Sequence, residues 1–194
     1  MLDRGRFPFW RFAHSLAPTP SPSHISREGG VLSLSAHQSA AMKHDEWLTP
    51  PEILRPLGAF DLDPCAPIMR PWDTAAKHLN VNDDGLSQPW HGRVWCNPPF
   101  GREAVKWLNR MVQHGNGIAL VPARTETAMF YTCVWGAADA VLFIKGRPHF
   151  HHPSGERAAF NSGAPICLIA YGKHNADVLR ASGLGHVVNS KDPS

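Results

Sequence analysis

The residues whose types and spacing best suit a chemical task are Asn97-Pro98-Pro99-Phe100, directly after the apolar run Val94-Trp95-Cys96. An Asn at a strand end offers its side-chain carbonyl, and Pro98, which has no N–H, turns its backbone carbonyl the same way. Two such acceptors can hold both hydrogens of a planar exocyclic amine. Phe100 supplies a π-face against which a base taken out of its stack can lie. These parts predict methyl transfer to the amine of adenine or cytosine by direct in-line displacement. The amine is a weak nucleophile because its lone pair is delocalised into the ring. Acceptors that favour sp³ nitrogen and stabilise the developing positive charge address that obstacle, and orientation supplies much of the rest. Pro-Pro is also a common strand stop. The apolar run before it and the helical pattern after Gly101 favour a strand–loop–helix unit.

Elements around this motif must position it. Thr49, Pro50 and Glu52 predict a capped helix start with Leu48 and Ile53 as a hydrophobic staple, ended by Gly58. A short strand over 59–63 follows, closed by Pro64, and then a turn-rich stretch over 67–92. Strand 93–97 leads into a helix with Ala104, Val105, Leu108, Met111 and Val112 at helical spacing. Strand 118–121 is stopped by Pro122. Thr125 is placed to cap a helix whose inner face is Met129, Phe130, Cys133, Val134 and Ala137. Strands 140–144 and 166–171 come next, with no helical pattern between them, so an antiparallel pairing is open. A short helix at about 175–182 closes the pattern. This alternation predicts an α/β fold with a mostly parallel mixed sheet and helices on both faces. Ligands bind such sheets at the carboxyl ends of the strands, where Asp63, Asn97 and Pro122-Ala123-Arg124 would converge.

Composition narrows the classes. The chain has 194 residues and a net charge of +3, which suits one domain with a sizeable core. Within 1–41, Arg4, Arg6, Arg11 and Arg27 face Asp3 and Glu28, a net of +2 that leaves +1 for the rest. A strong non-specific polyanion binder would show more basic excess, so nucleic-acid contact must rest on a local patch. No apolar run approaches the roughly 18 residues of a membrane span. Cys65, Cys96, Cys133 and Cys167 form no CxxC pair and read as buried, reduced thiols of a cytoplasmic protein. His149, His151 and His152 lack a carboxylate or Cys to complete a metal site, so no metal is expected. Segment 1–41, rich in Pro, Ser and His, reads as a disordered or non-native extension ahead of a domain over 42–194. Val31 or Met42 is a candidate natural start.

From about Asp45 to Tyr171 the chain resembles the phage-type DNA N6-adenine methyltransferases, the Dam-like group of phages and prophages. The matching stretches are DEWLTPPE (45–52), FDLDPCAP (60–67), DDGLSQPW (83–90), GRVWCNPPFG (92–101) and PARTET (122–127). The resemblance implies a Rossmann-like S-adenosylmethionine-dependent methyltransferase fold, S-adenosylmethionine as methyl donor and adenine N6 in double-stranded DNA as acceptor. Under it, Asn97, Pro98, Pro99 and Phe100 look like the catalytic motif. Asp63, Pro64, Cys65 and Ala66 look like the first-strand cofactor motif, and Thr49-Pro50 like the upstream cofactor-side motif. Asp84 falls near the expected place of the cofactor's adenosine. Arg124 and Arg147 are candidates for DNA phosphates.

The sequence departs from that pattern in three ways. Pro67-Ile68-Met69-Arg70 replaces a Gly-rich turn, little chain separates Asp63 from Asn97, and Phe100 stands where Tyr is more frequent. No segment is long enough for a separate target-recognition domain, leaving the loops over 67–92 and 146–163, or a partner, to supply specificity. The alternatives are another amine, such as cytosine N4 or an RNA or protein amide, and a catalytically inactive nucleic-acid-binding remnant.

Overall fold

The computed structural model describes residues 46–191; the expectations for 1–41, including those about the start site, lie outside them. Seven strands form one sheet: β1 (Leu62–Asp63), β2 (Lys77–His78), β3 (Val94–Cys96), β4 (Gly117–Pro122), β5 (Ala140–Ile144), β6 (Ile166–Tyr171) and β7 (Gly185–Asn189), in the order β2-β1-β3-β4-β6-β5-β7. The pairs β1–β2, β1–β3 and β3–β4 are parallel. Strand β6 runs antiparallel to both β4 and β5, and β7 antiparallel to β5. The β5–β6 pairing takes the antiparallel form that the helix-free connection left open. The short edge strands β2 and β7 leave little trace in the sequence.

Helices cover both faces, α1 (Pro51–Leu54) and α4 (Lys173–Ala181) on one, α2 (Ala104–His114) and α3 (Ala128–Cys133) on the other. Side chains alternate across a strand, and the core divides accordingly. Val94 and Cys96 pack with Leu108, Met111, Phe130 and Cys133. Trp95 packs with Ile53, Leu54, Ala176 and Leu179. Helix α2 buries Ala104, Leu108 and Met111, while Val112, expected inside, is exposed. Gly115 ends it in the left-handed conformation.

Two predicted helix caps are displaced. Thr49 does not cap α1: Pro50 is the N-cap with ψ 143°, and no side chain accepts a hydrogen bond there. The residue before a proline is driven to extended backbone, so Pro51 forbids a helical Pro50 and delays the helix by one residue. The capping box with Glu52 is therefore absent. At α3 the cap is Thr127, not Thr125; its hydroxyl accepts from Phe130 N at 3.3 Å. The chain first turns at Arg124, whose carbonyl accepts from Thr127 N and Oγ1 at 3.1 and 2.8 Å.

Arg93, just before β3, ties three elements together. Its Nε donates to Asn175 Oδ1 of α4 at 2.6 Å, and its Nη1 donates to the Leu57 and Ala59 carbonyls at 2.8 Å each. The guanidinium also lies 4.1 Å from the Phe60 ring centroid. Replacing it with Met keeps an apolar stem but strands these acceptors. Arg93→Met is expected to lower unfolding free energy by about 2–4 kcal/mol, read as a shifted urea midpoint with unchanged slope.

Candidate active site at the carboxyl ends of β1 and β3

The chain leaves β1 towards β2 on one side and returns to β3 on the other. That reversal opens a crevice at the carboxyl ends of β1 and β3, and Asp63 and Asn97 stand at these two ends. A cavity of about 510 Å³ lies there. Its walls come from four parts of the chain: Glu46–Thr49; Asp63–Pro67 with Thr74; Asn80, Val81 and Asp84–Leu86; and Trp95, Asn97 and Pro99 with Glu103 and Trp107. Of the residues singled out in the sequence, Thr49, Asp63, Pro64, Cys65, Ala66, Asp84, Asn97 and Pro99 line it. Pro50, Pro98 and Phe100 adjoin that wall without being part of it. Arg124 and Arg147 are exposed on loops beyond β4 and β5, outside the lining. Arg147 Nη1 donates to the Gly163 carbonyl at 2.5 Å.

The amide of Asn97 is held in one orientation. Its Nδ2 donates to the Trp47 carbonyl at 2.9 Å, which fixes Oδ1 as the free end. Neither Oδ1 nor the Pro98 carbonyl receives a hydrogen bond from the described residues. Asn97, which lines the cavity, thus offers a free acceptor to a ligand's N–H group, and the Pro98 carbonyl next to it is unpaired. Phe100 is half-buried, its ring meeting Phe150 in a T-shaped contact with centroids 6.0 Å apart. Cys96 points away into the core, as strand alternation requires. Its Sγ lies 3.8 Å from that of Cys65. Burial, followed by the Cys96 neighbour, raises the Cys65 thiol well above its ordinary range, so it is no activated nucleophile.

Asp63 is 2% exposed. Its carboxylate accepts from Thr74 Oγ1 and from Cys65 N at 3.1 Å. Burial pushes its pKa up to about 6, against the opposing pull of Thr74, the Cys65 backbone and Arg70. No salt bridge reaches it among the described residues; Arg70 pairs with Asp73 instead. A buried carboxylate without a counter-ion calls for a cationic or proton-donating ligand. The ionisable acidic residues of the lining are Glu46, Asp63, Asp84 and Glu103, with no Lys, Arg or His; Glu103 pairs with Lys106, outside the lining, at 2.6 Å. The site is acidic and suits a cation.

Two more polar groups lack partners. Thr49 Oγ1 and Trp47 Nε1 are buried without a hydrogen bond. Such groups are rare in folded proteins and each needs an explanation. The size of the cavity, its single sign of charge and the lone buried carboxylate together fit S-adenosylmethionine, which brings a sulfonium and an ammonium.

Several site residues were not legible in sequence. Thr74 sits in an irregular loop, and only the fold brings it to Asp63. Trp107 looked like one more helix residue, yet it lines the cavity and stacks with Trp90, centroids 6.4 Å apart. Gly85 also lines the cavity, where a Cβ would collide with the Pro64 carbonyl. Gly85→Ala should therefore push apart the turn after β1 and the 83–90 loop. A destabilisation of about 1–3 kcal/mol is expected, measured by thermal unfolding. The histidines of the 146–163 loop serve packing: His151 meets Trp72 and His152 meets Trp47 at centroid distances of 5.2 and 4.9 Å.

An open α/β sheet with a reversed strand inserted next to β4, and an acidic cavity at its switch point, has a methyltransferase-like fold. The model of the DNA N-6-adenine-methyltransferase (Dam) family matches residues 36–180, more than half of the chain, and the protein belongs to that family. No curated protein and no solved structure matches it. No helix among the described residues is long and apolar enough to cross a membrane.

Proposed function

We propose that the protein transfers a methyl group from S-adenosylmethionine to the N6 amine of adenine in double-stranded DNA. The observation that carries this reading is Asn97: its Nδ2 is held by the Trp47 carbonyl, which leaves Oδ1 as the free end of an amide in the cavity wall. Family membership points the same way.

S-adenosylmethionine supplies an electrophilic sulfonium methyl when bound, and Thr49, Pro50, Asp63, Pro64, Cys65, Ala66 and Asp84 are the residues assigned to hold it. Asn97 Oδ1 and the Pro98 carbonyl accept the two N6 hydrogens. They draw electron density towards the nitrogen as it attacks and offset the positive charge that develops there. Phe100, braced by Phe150, stacks on the adenine, which has to leave the duplex because N6 is out of reach inside it. No side chain becomes covalently attached. The acidic cavity repels phosphate, so the DNA backbone stays at the rim, where Arg124 and Arg147 are assigned to meet it.

The test is transfer from labelled S-adenosylmethionine to unmethylated duplex DNA, followed by digestion to nucleosides. Label in N6-methyladenine supports the reading. Label in N4-methylcytosine would transfer the chemistry to the other base, and no label from folded protein would refute it.

A further inference from the structure

The thiols of Cys65 and Cys96 take no part in the proposed methyl transfer, yet their sulfur atoms lie 3.8 Å apart. The other two cysteines are placed differently. Cys133 Sγ donates to Asn109 Oδ1 at 3.3 Å and Cys167 Sγ to the Val121 carbonyl at 3.5 Å. The close pair spans the two strands that flank the crevice. Cys65 follows β1 by two residues and is half-buried in the cavity lining. Cys96 is the last residue of β3, fully buried, immediately before Asn97. Leu62 pairs with Val94 in the parallel register, so Cys65 and Cys96 stand within a residue of the same level on adjacent stretches of chain. A disulfide holds its sulfurs at about 2 Å. Closing the present gap therefore takes a small shift of neighbouring groups and no change of topology.

We propose that Cys65 and Cys96 form a dithiol site that a low-molecular-weight disulfide converts to an internal disulfide, and that this bond switches the site off. The Cys65 thiolate attacks one sulfur of the small disulfide, giving a mixed disulfide and releasing one small thiol. The Cys96 thiolate then attacks the Cys65 sulfur, forming the internal bond and releasing the second small thiol. The two cysteine protons end on the two released thiols, and the two electrons that the cysteines lose reduce the small disulfide. The cavity fixes the order of the steps, because Cys65 belongs to its lining and Cys96 does not. Burial keeps the Cys65 thiol protonated at neutral pH. Exchange is therefore slow, and the bond responds to sustained oxidation. Once formed, it draws Cys96, and Asn97 with it, towards the loop after β1. A misplacement of about 1 Å at a positioned reacting group lowers the rate by about 100-fold. The effect on methyl transfer rests on the proposed function, whereas the bond itself does not.

The test is prolonged incubation of the full chain with cystamine, a small cationic disulfide suited to the acidic cavity. Peptide mapping by mass spectrometry without reduction should find Cys65 joined to Cys96, with Cys133 and Cys167 free. Methyl transfer should fall roughly 10- to 100-fold and return on treatment with dithiothreitol. Cys96→Ala removes the second thiol, so the treated variant should carry one cysteamine adduct on Cys65 and no internal bond. Should that variant fail to fold, the map of the wild-type protein decides alone. Folded, treated wild-type protein without the Cys65–Cys96 peptide would overturn the dithiol site. The same peptide with unchanged methyl transfer would overturn the switch. Reduced wild-type protein that transfers no methyl group would refute the proposed function instead, and the peptide map would still decide the bond.

Discussion

Asn97→Ala is expected to lower kcat for methyl transfer by about 10²- to 10³-fold, the loss seen when one preorganised polar contact to a transition state is removed. Binding of S-adenosylmethionine should stay within about threefold, since the contact matters chiefly as charge develops on the amine. The amide does two things, and a second variant separates them. Asn97→Asp keeps an oxygen acceptor but loses the N–H that donates to the Trp47 carbonyl. It also sets a carboxylate oxygen against that carbonyl. If the acceptor is what matters most, Asn97→Asp retains more activity than Asn97→Ala. Should the two fall equally, orientation by Trp47 is the larger part. Loss of activity together with cofactor binding would instead mean that Asn97 shapes the cavity, and the amine-holding role would fail.

The parts that were legible in sequence are those governed by local rules. Strands such as Ala140–Ile144 and Ile166–Tyr171 are buried on both faces, so they appear as unbroken apolar runs. Asn97-Pro98-Pro99-Phe100 was legible because its chemistry sits in four consecutive residues. What escaped depends on distant contacts. Strands β2 and β7 carry Lys77, His78 and His186, which no apolar pattern marks; pairing with β1 and β5 makes them strands. The role of Thr49 was misread for a related reason. A Thr two residues before Pro51 looks like a cap, but the second proline moves the cap to Pro50 and leaves the Thr49 hydroxyl buried without a partner. Trp47 and Thr74 matter through Asn97 and Asp63, residues 50 and 11 positions away.

The absence of a Gly-rich turn after β1 has a physical answer in the same loop. Such a turn lets backbone amides approach a ligand's phosphates or hydroxyls closely. Here the turn after Asp63 is fastened differently: Ala66 N donates to the Leu79 carbonyl and Leu79 N to the Asp63 carbonyl, at 2.9 and 2.8 Å. Gly85, from another loop, supplies the close approach to Pro64 that a side chain would prevent. The glycine is thus present in space though not in the motif.

Asp63→Asn should raise the stability of the ligand-free protein while weakening its hold on the cofactor. The folded carboxyl titrates at about 6, above its ordinary 3.8, because burial disfavours its charge. Its contribution to stability is complete below the unfolded value and is lost as pH rises through the folded one. At pH 7.5 the ionised group therefore costs about 3 kcal/mol relative to an unshifted carboxylate. An amide can accept from Cys65 N and donate to Thr74 Oγ1, keeping both contacts without the charge. A gain of about 1–3 kcal/mol in unfolding free energy at pH 7.5 is expected, shrinking towards pH 4 as the wild-type group protonates. Cofactor affinity should fall by about 10-fold or more, since the ammonium loses its only buried counter-charge. Wild-type affinity should climb between pH 5 and 7 as Asp63 ionises, with about one proton released on binding below pH 6. His78 is the other group to separate. Burial, and then Arg70, lowers its pKa, and its Nε2 accepts from Thr74 N and Ala75 N at 3.2 and 3.3 Å. Its protonation on the acid side loosens the loop that carries Thr74 and persists in the variant. The part of the pH dependence that vanishes in Asp63→Asn is therefore Asp63's own. A variant less stable than wild type at pH 7.5, with an unchanged pH profile of cofactor binding, would place Asp63 among the turn formers and remove it from the cofactor site.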